Sequence, residues 1–80
     1  MSKLPSLSAR EVITALRKVG FIDAPTRGKG SHHALTKKDK DGIVRIVIIP
    51  ERKDIPAGTL NAIIKQSGLS REEFLSALRS

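Results

Sequence analysis

Two adjacent histidines, His32 and His33, are the residues of this chain best suited to proton transfer, and the chain has no other histidine. Imidazole takes up and releases a proton near neutral pH, so a histidine beside a hydroxyl group can act as a general base. RNA offers such a hydroxyl at each ribose 2′ position, next to the phosphate that it attacks during cleavage. The pair therefore indicates metal-independent cleavage of RNA, and the alternative is an exposed histidine pair with no catalytic role.

Groups that favour phosphate lie on both sides of the histidines in the sequence. Glycine lets backbone N–H groups approach a phosphate closely, a serine hydroxyl donates a hydrogen bond, and basic side chains supply charge. The candidate RNA-binding residues are Arg27, Lys29, Gly30, Ser31, Lys37 and, on the following strand, Arg45. An ordinary turn is the competing interpretation of the two glycines at positions 28 and 30.

Positive charge is concentrated in the middle of the chain. Residues 27–53 contain eight basic and three acidic residues, so they contribute +5 of the formal net charge of +7. A one-sided basic region is typical of nucleic-acid binding, although a solvated lysine-rich surface has the same composition. The two phenylalanines are the only aromatic residues, so contacts with RNA phosphates and sugar hydroxyls are expected rather than base stacking.

The sequence disfavours disulfides, metal sites, nucleotide-binding loops and membrane-spanning segments. There is no cysteine and no set of Asp, Glu and His at ligand spacing, so neither a disulfide nor a metal site is predicted. No Gly-x-x-x-x-Gly-Lys-Ser/Thr loop occurs, and no cofactor is expected. No apolar run reaches transmembrane length, and the first residues do not resemble a signal peptide. The prediction is one cytoplasmic domain, residues 1–80.

The elements that would position the histidines begin with a helix over about residues 9–19, which starts from a capping box and ends before Gly20. A brief strand at 21–22 and a strand at 31–36 follow, and the second carries both histidines. The dipeptide Asp41-Gly42 then indicates a hairpin turn.

The segment 43–49 has the strongest strand pattern in the chain. It is rich in β-branched residues and nearly apolar on both faces. This pattern predicts a central position, with a helix on one side and a neighbour or partner chain on the other. Adjacent strand residues point to opposite faces, so only one of His32 and His33 is expected in any one site. The pattern leaves open which one.

Two further helices are predicted after the strands. The first begins at Pro56 and ends at Gly68, and the second, shorter one begins at Ser70 with another capping box. The order is that of an α+β protein, an αβββα two-layer sandwich like the double-stranded-RNA-binding domain, with an additional short C-terminal helix. A fold of this kind does not establish a function by itself.

Four segments resemble HicA, the family of small toxins from type II toxin–antitoxin pairs. They are the helix from Ala9 to Val19 with Gly20-Phe21 after it, Lys29-Gly30-Ser31-His32-His33, Val47-Ile48-Ile49-Pro50, and Ile55-Pro56-Ala57-Gly58-Thr59-Leu60 with Ile63-Ile64-Lys65-Gln66-Ser67-Gly68-Leu69. The likeness covers about residues 8–78. The hairpin turn at 38–42 is longer and more charged than is usual in the family, and the short helix after residue 69 is additional.

The resemblance implies a ribosome-independent endoribonuclease, an mRNA interferase that cleaves mRNA and halts growth. It implies His32 as the catalytic residue, because the family's histidine follows Gly-Ser, with His33 in reserve because some members carry it one place later. It also implies mRNA as the substrate and a HicB-type antitoxin that covers the active site, in a heterotetramer or a larger complex.

Two other functions are compatible with the residues. A non-catalytic RNA-binding module on the same fold would explain the basic middle segment, which offers no obvious acid to complete an acid–base pair. A protein-interaction subunit would use the strand at 43–49 and its basic surroundings to bind an acidic partner.

Overall fold

The computed structural model describes residues 6–24 and 32–80, and within these ranges the chain forms three helices and three antiparallel strands. In chain order the elements are α1 (Ala9–Lys18), β1 (Ile22–Asp23), β2 (His32–Lys38), β3 (Val44–Pro50), α2 (Ala57–Ser67) and α3 (Arg71–Arg79). This order confirms the predicted α+β class, a double-stranded-RNA-binding-like αβββα arrangement with an additional C-terminal helix. None of the helices in the described ranges is long and apolar enough to cross a membrane.

Both capping boxes predicted from the sequence are present. The Ser8 hydroxyl accepts a hydrogen bond from the Glu11 backbone N–H, and the Glu11 carboxylate accepts one from the Ser8 N–H. Ser70 and Glu73 repeat this arrangement at the start of α3. Such boxes satisfy N–H groups that have no partner within the first helical turn. At the end of α2, Gly68 adopts a φ of 79°, in the left-handed region that favours glycine.

The helices cover one face of the sheet. Alternate side chains of β2 and β3 point into the core on this face, where Leu35, Val47 and Ile49 are fully buried, as the two-residue period of a strand requires. Leu16 of α1 and Phe74 of α3 are buried in the same core cluster. The other buried apolar residues are Leu7, Ala9, Val12, Ala15, Phe21, Ile55, Leu60, Ile63, Ile64 and Ala77.

β2 and β3 pair along their whole length without a bulge, from His32 opposite Pro50 to Lys38 opposite Val44. β1 pairs with the other side of β2, so the sheet order is β1-β2-β3. An unbroken register turns successive side chains to opposite faces. The expectation that His32 and His33 lie on opposite faces of the sheet is therefore confirmed.

β3 lies at the edge of the sheet, so the predicted central position was wrong. Among the described residues, β2 is the strand that pairs with it, and it pairs on one side only. α2 packs against one face of β3, while Val44, Ile46 and Ile48 are exposed on the other. The sequence was misleading because an apolar outer face gives the same pattern as a strand that is covered on both faces.

The connector after β3 is fixed against the segment that precedes α1. The Ala9 N–H donates to the Arg52 carbonyl oxygen, and the Ile55 N–H donates to the Leu7 carbonyl oxygen, each at 2.8 Å. These two bonds hold residues 52–55 alongside residues 7–9, where α1 begins.

Candidate functional site

His33 lies on the helix-facing side of the sheet, at the rim of the core. Its Nε2 contacts the Oε1 atom of Glu51. In the hairpin register His33 is opposite Ile49, so Glu51 is its diagonal neighbour on the same face. The His33 side chain is 46% exposed, which leaves the ring accessible to a substrate. A carboxylate on one ring nitrogen orients an imidazole, an arrangement that recurs in proton-transfer sites.

A groove lies beside this pair, between α1 and the connector that follows β3. It is lined by Ala9, Arg10, Ile13, Thr14, Arg17, His33 and Glu51. An adjoining depression shares three of these residues and adds Ser8, Arg52 and Lys53. We call the two together the basic groove, because its charged lining consists of Arg10, Arg17, Arg52 and Lys53 against the single carboxylate of Glu51.

The basic groove keeps an excess of positive charge when its nearest ion pair is counted. Arg17 is paired with Asp23 at 2.8 Å, and both side chains are more than half exposed. Counting Asp23 gives four cations against two carboxylates. A concave surface of this sign attracts polyanions such as the phosphates of RNA.

His32 occupies the opposite face of the sheet. It is exposed at the first position of β2, and the register places Pro50 across from it. We call this side the open face. Its strand positions are Ile22, His32, Ala34, Thr36, Lys38, Val44, Ile46, Ile48 and Pro50. Most of these strand positions carry apolar residues, whereas His33 contacts Glu51.

Lys37 and Arg45 are directly opposite each other in the register and lie on the helix-facing side. The structure therefore does not bring them together with His32. The Lys37 Nζ atom lies 5.8 Å from the centre of the Phe21 ring. Arg45 Nε donates to the Oδ2 atom of Asp39 at 2.9 Å. Both side chains contact neighbouring parts of the fold, and their role in RNA binding stays a prediction.

The remaining predicted RNA contacts, Arg27, Lys29, Gly30 and Ser31, lie outside the described residues and also stay predictions. In the part of the chain that the structure does describe, no group of three His, Cys, Asp or Glu side chains is placed to hold a metal ion.

Sequence reasoning missed Glu51 and the four cations of the basic groove, Arg10, Arg17, Arg52 and Lys53. The position of Glu51 near His33 follows from the hairpin register, because a hairpin that pairs His33 with Ile49 puts residue 51 on the same face as both. The sequence does not define this register, because it does not define the length of the turn after Lys38. Nothing in the local sequence indicated that α1 would border the histidine strand, because that proximity arises from tertiary packing.

Arg45 is expected to stabilise the folded state. The Arg45 side chain is 33% exposed, and the Asp39 side chain is 29% exposed. The Arg45 guanidinium also lies close to Gly68, because a Cβ atom added at Gly68 would be 2.8 Å from Arg45 Cζ. Replacement of Arg45 by alanine should lower the free energy of unfolding by about 1.5–3 kcal/mol, the usual contribution of a hydrogen bond to a charged group. Urea unfolding measures this loss, and a double-mutant cycle with Asp39→Ala should show non-additive losses. If Arg45→Ala leaves the stability unchanged and weakens RNA binding, Arg45 belongs to the RNA interface instead.

Comparison with known proteins finds a protein-family model that matches more than half of this chain. The family is described as the HicA toxin of bacterial toxin–antitoxin pairs, and the match covers residues 9–69. The matched range includes both histidines, the β2–β3 hairpin, the basic groove residues of α1 and all of α2, and it ends before α3. Among curated proteins, no match is found.

Proposed function

The chain belongs to the HicA toxin family, and we propose that it is an endoribonuclease that cleaves mRNA independently of the ribosome. The family match over residues 9–69 is the observation that carries the proposal. Membership makes the chain a toxin of a toxin–antitoxin pair. We propose three further points: the chain cleaves mRNA, it acts in the cytoplasm, and residues 1–80 act as one toxin domain.

His32 is the proposed general base. Its imidazole takes the proton of a ribose 2′-hydroxyl, and the 2′-oxygen forms a bond to phosphorus while the bond from phosphorus to the 5′-oxygen breaks. The 5′-oxygen leaves with a proton from water. The products are a 2′,3′-cyclic phosphate, which hydrolysis opens to a 3′-phosphate, and a 5′-hydroxyl end. Support comes from the exposed position of His32 at the start of β2, directly after Gly30-Ser31 in the sequence.

A specific observation favours His33 as the alternative base. Its imidazole contacts Glu51 and borders the basic groove. A carboxylate in this position would orient the ring and stabilise the imidazolium that forms when the base accepts a proton. The two histidines lie on opposite faces, so substitution of each one separately distinguishes them.

Phosphates on either side of the cleaved bond are proposed to follow the basic groove, which borders His33 and lies across the sheet from His32. Arg10 and Arg17 are exposed on one side of α1, and Arg52 and Lys53 are exposed on the connector. The hydrogen bonds between the segment before α1 and this connector keep the two sets of cations together. Contacts of this kind read charge and backbone shape rather than base sequence.

Replacement of Arg10 and Arg17 by glutamine is expected to weaken RNA binding and to flatten its dependence on salt. Each lost phosphate contact should reduce the slope of log K against log salt by about 0.7 for a single strand. Fluorescence anisotropy with a labelled single-stranded RNA measures the slope, with the His32→Ala substitution added so that the RNA stays intact. Lys40→Gln with Lys65→Gln is the control, since it removes the same charge outside the groove. An equal reduction in both variants would mean that net charge, and not the basic groove, drives binding.

A non-catalytic RNA-binding module is the second candidate. The observation that favours it is the excess of positive charge in residues 27–53, where eight basic residues stand against three acidic ones. Expression in bacteria separates the candidates, because an mRNA-cleaving toxin stops growth and a passive binder does not. Incubation of the purified chain with RNA separates them directly, because only a nuclease produces new ends.

The family match also implies a partner, since the matched proteins are toxins of toxin–antitoxin pairs. We propose that this antitoxin is of the HicB type and that the two chains assemble into a heterotetramer or a larger complex.

A further inference from the structure

The lining of the basic groove contains one charged group that RNA phosphates cannot use. Among the described residues, Glu51 is the carboxylate that lines both depressions of the groove, and its side chain is 60% exposed. A carboxylate accepts hydrogen bonds and donates none, and it repels a phosphate. Its place among the cations of the groove therefore suits a ligand group that carries hydrogen-bond donors.

Glu51 can accept hydrogen bonds beyond its contact with His33. That contact involves the Oε1 atom of Glu51. The two oxygens of a carboxylate together offer about four acceptor sites, so a bound molecule can donate to the same carboxylate while His33 remains in place.

The basic groove is large enough to hold a nucleobase beside this carboxylate. Its two depressions have volumes of about 310 Å³ and 440 Å³, which lie in the range of sites for small ligands. Cations line the groove on α1 and on the connector after β3, where they can hold phosphates. A base attached to that backbone meets Glu51 where the two depressions adjoin.

Recognition of a base in this groove depends on hydrogen bonds rather than on stacking. The sequence has no tyrosine and no tryptophan, and Phe21 and Phe74 are both buried in the core. Proteins that bind single strands through their bases usually stack them on such rings. Discrimination between bases therefore falls to hydrogen bonds with the base edges.

Guanine is the base whose Watson–Crick edge matches a carboxylate. Its N1–H and 2-amino groups are neighbouring donors, so they can reach the two oxygens of one carboxylate as a guanidinium does. Uracil presents its N3–H between two carbonyl oxygens, which repel a carboxylate. Adenine and cytosine each present an amino group beside a ring nitrogen that is an acceptor.

We propose that Glu51 determines base specificity: its carboxylate binds the Watson–Crick edge of a guanine while the surrounding cations hold the flanking phosphates. The inference rests on the proposed function, because it requires RNA in the basic groove. It is distinct from a role of Glu51 in orienting His33. An orienting carboxylate affects every RNA alike, whereas a carboxylate that binds guanine affects only RNA that contains this base.

The test is the affinity of the full chain for short RNA oligomers with 2′-fluoro riboses, which cannot be cleaved by attack of a 2′-hydroxyl. One oligomer contains uracil only, a second has guanine at its centre, and a third has inosine there, which lacks the 2-amino group. Fluorescence anisotropy gives each Kd. Glu51→Gln keeps the shape of the side chain and removes its charge. Glu72→Gln removes the same charge at an exposed position of α3 outside the groove and is the matched control.

The guanine oligomer is expected to bind about tenfold more tightly than the uracil oligomer, as for a pair of hydrogen bonds to one base, and inosine should lose most of this preference. Glu51→Gln should lower the ratio of the two Kd values to about threefold or less, while Glu72→Gln leaves it unchanged. Equal affinities for the guanine and uracil oligomers would overturn the proposal. A preference that survives Glu51→Gln, or a folded chain that binds none of the oligomers, would overturn it as well.

The same oligomers separate this inference from the proposed nuclease activity. Guanine-selective binding by a chain that leaves ordinary RNA intact would keep the role of Glu51 and reject the nuclease. Cleavage of ordinary RNA by a chain that binds the guanine and uracil oligomers equally would do the reverse.

Discussion

Replacement of His32 by alanine is expected to lower the rate of RNA cleavage by about 10²- to 10⁴-fold, the usual contribution of one general base. The side chain is exposed, so the substitution should remove the base without removing a core contact. The measurement is the rate of cleavage of a labelled single-stranded RNA under single-turnover conditions, with circular dichroism to establish that the variant is folded.

His33→Ala is the matched control for this experiment, because it removes the same imidazole from the adjacent position on the other face of the sheet. Its rate is expected to stay within about tenfold of the unsubstituted rate, since the expected general-base effect of 10²–10⁴ belongs to His32. The opposite order of effects would assign the chemistry to His33. In that case Glu51→Gln should also slow cleavage, because Glu51 contacts the His33 ring.

Replacement of Phe74 by alanine is expected to lower the free energy of unfolding by about 3–5 kcal/mol, the range measured when a fully buried aromatic side chain is truncated. Phe74 is 0% exposed and belongs to α3, which packs against α1. Domains of this kind are stable by about 5–15 kcal/mol, so much of the total stability would be lost. Chemical denaturation with urea measures the difference.

Leu75→Ala on the same helix is the comparison for Phe74→Ala. Leu75 is half-buried, so its truncation should cost clearly less, because less apolar surface returns to water. Equal losses in the two variants, or a loss below about 1 kcal/mol for Phe74→Ala, would contradict an integral role for α3. The result also bears on the family match, which ends at residue 69, before this helix.

The elements that the sequence predicted well are those specified by local patterns. The Ser8 and Ser70 capping boxes each fix a helix start through residues three positions apart, and the Asp41-Gly42 turn closes the hairpin between β2 and β3. The opposite orientation of His32 and His33 followed from the two-residue period of a strand. Such signals lie within a few residues of the feature that they determine.

The features that the sequence did not predict depend on which elements meet in space. The edge position of β3 could not be read from its composition, because exposed Ile46 and buried Val47 are chemically alike. Lys37 and Arg45 were predicted to act with the histidines because of their charge. The alternation of side chains along β2 and β3 places them on the face opposite His32. The proximity of Arg10 to His33 results from the docking of α1, which no local pattern encodes.

The central claim is that this toxin cleaves RNA without a metal ion. The most direct test is to incubate the purified chain, free of its antitoxin, with a 5′-labelled single-stranded RNA in excess EDTA and to identify the new ends. The account predicts fragments that end in a 2′,3′-cyclic phosphate or a 3′-phosphate. Intact RNA, from a folded chain that still binds RNA in a salt-dependent manner, would contradict the claim and favour the non-catalytic RNA-binding module.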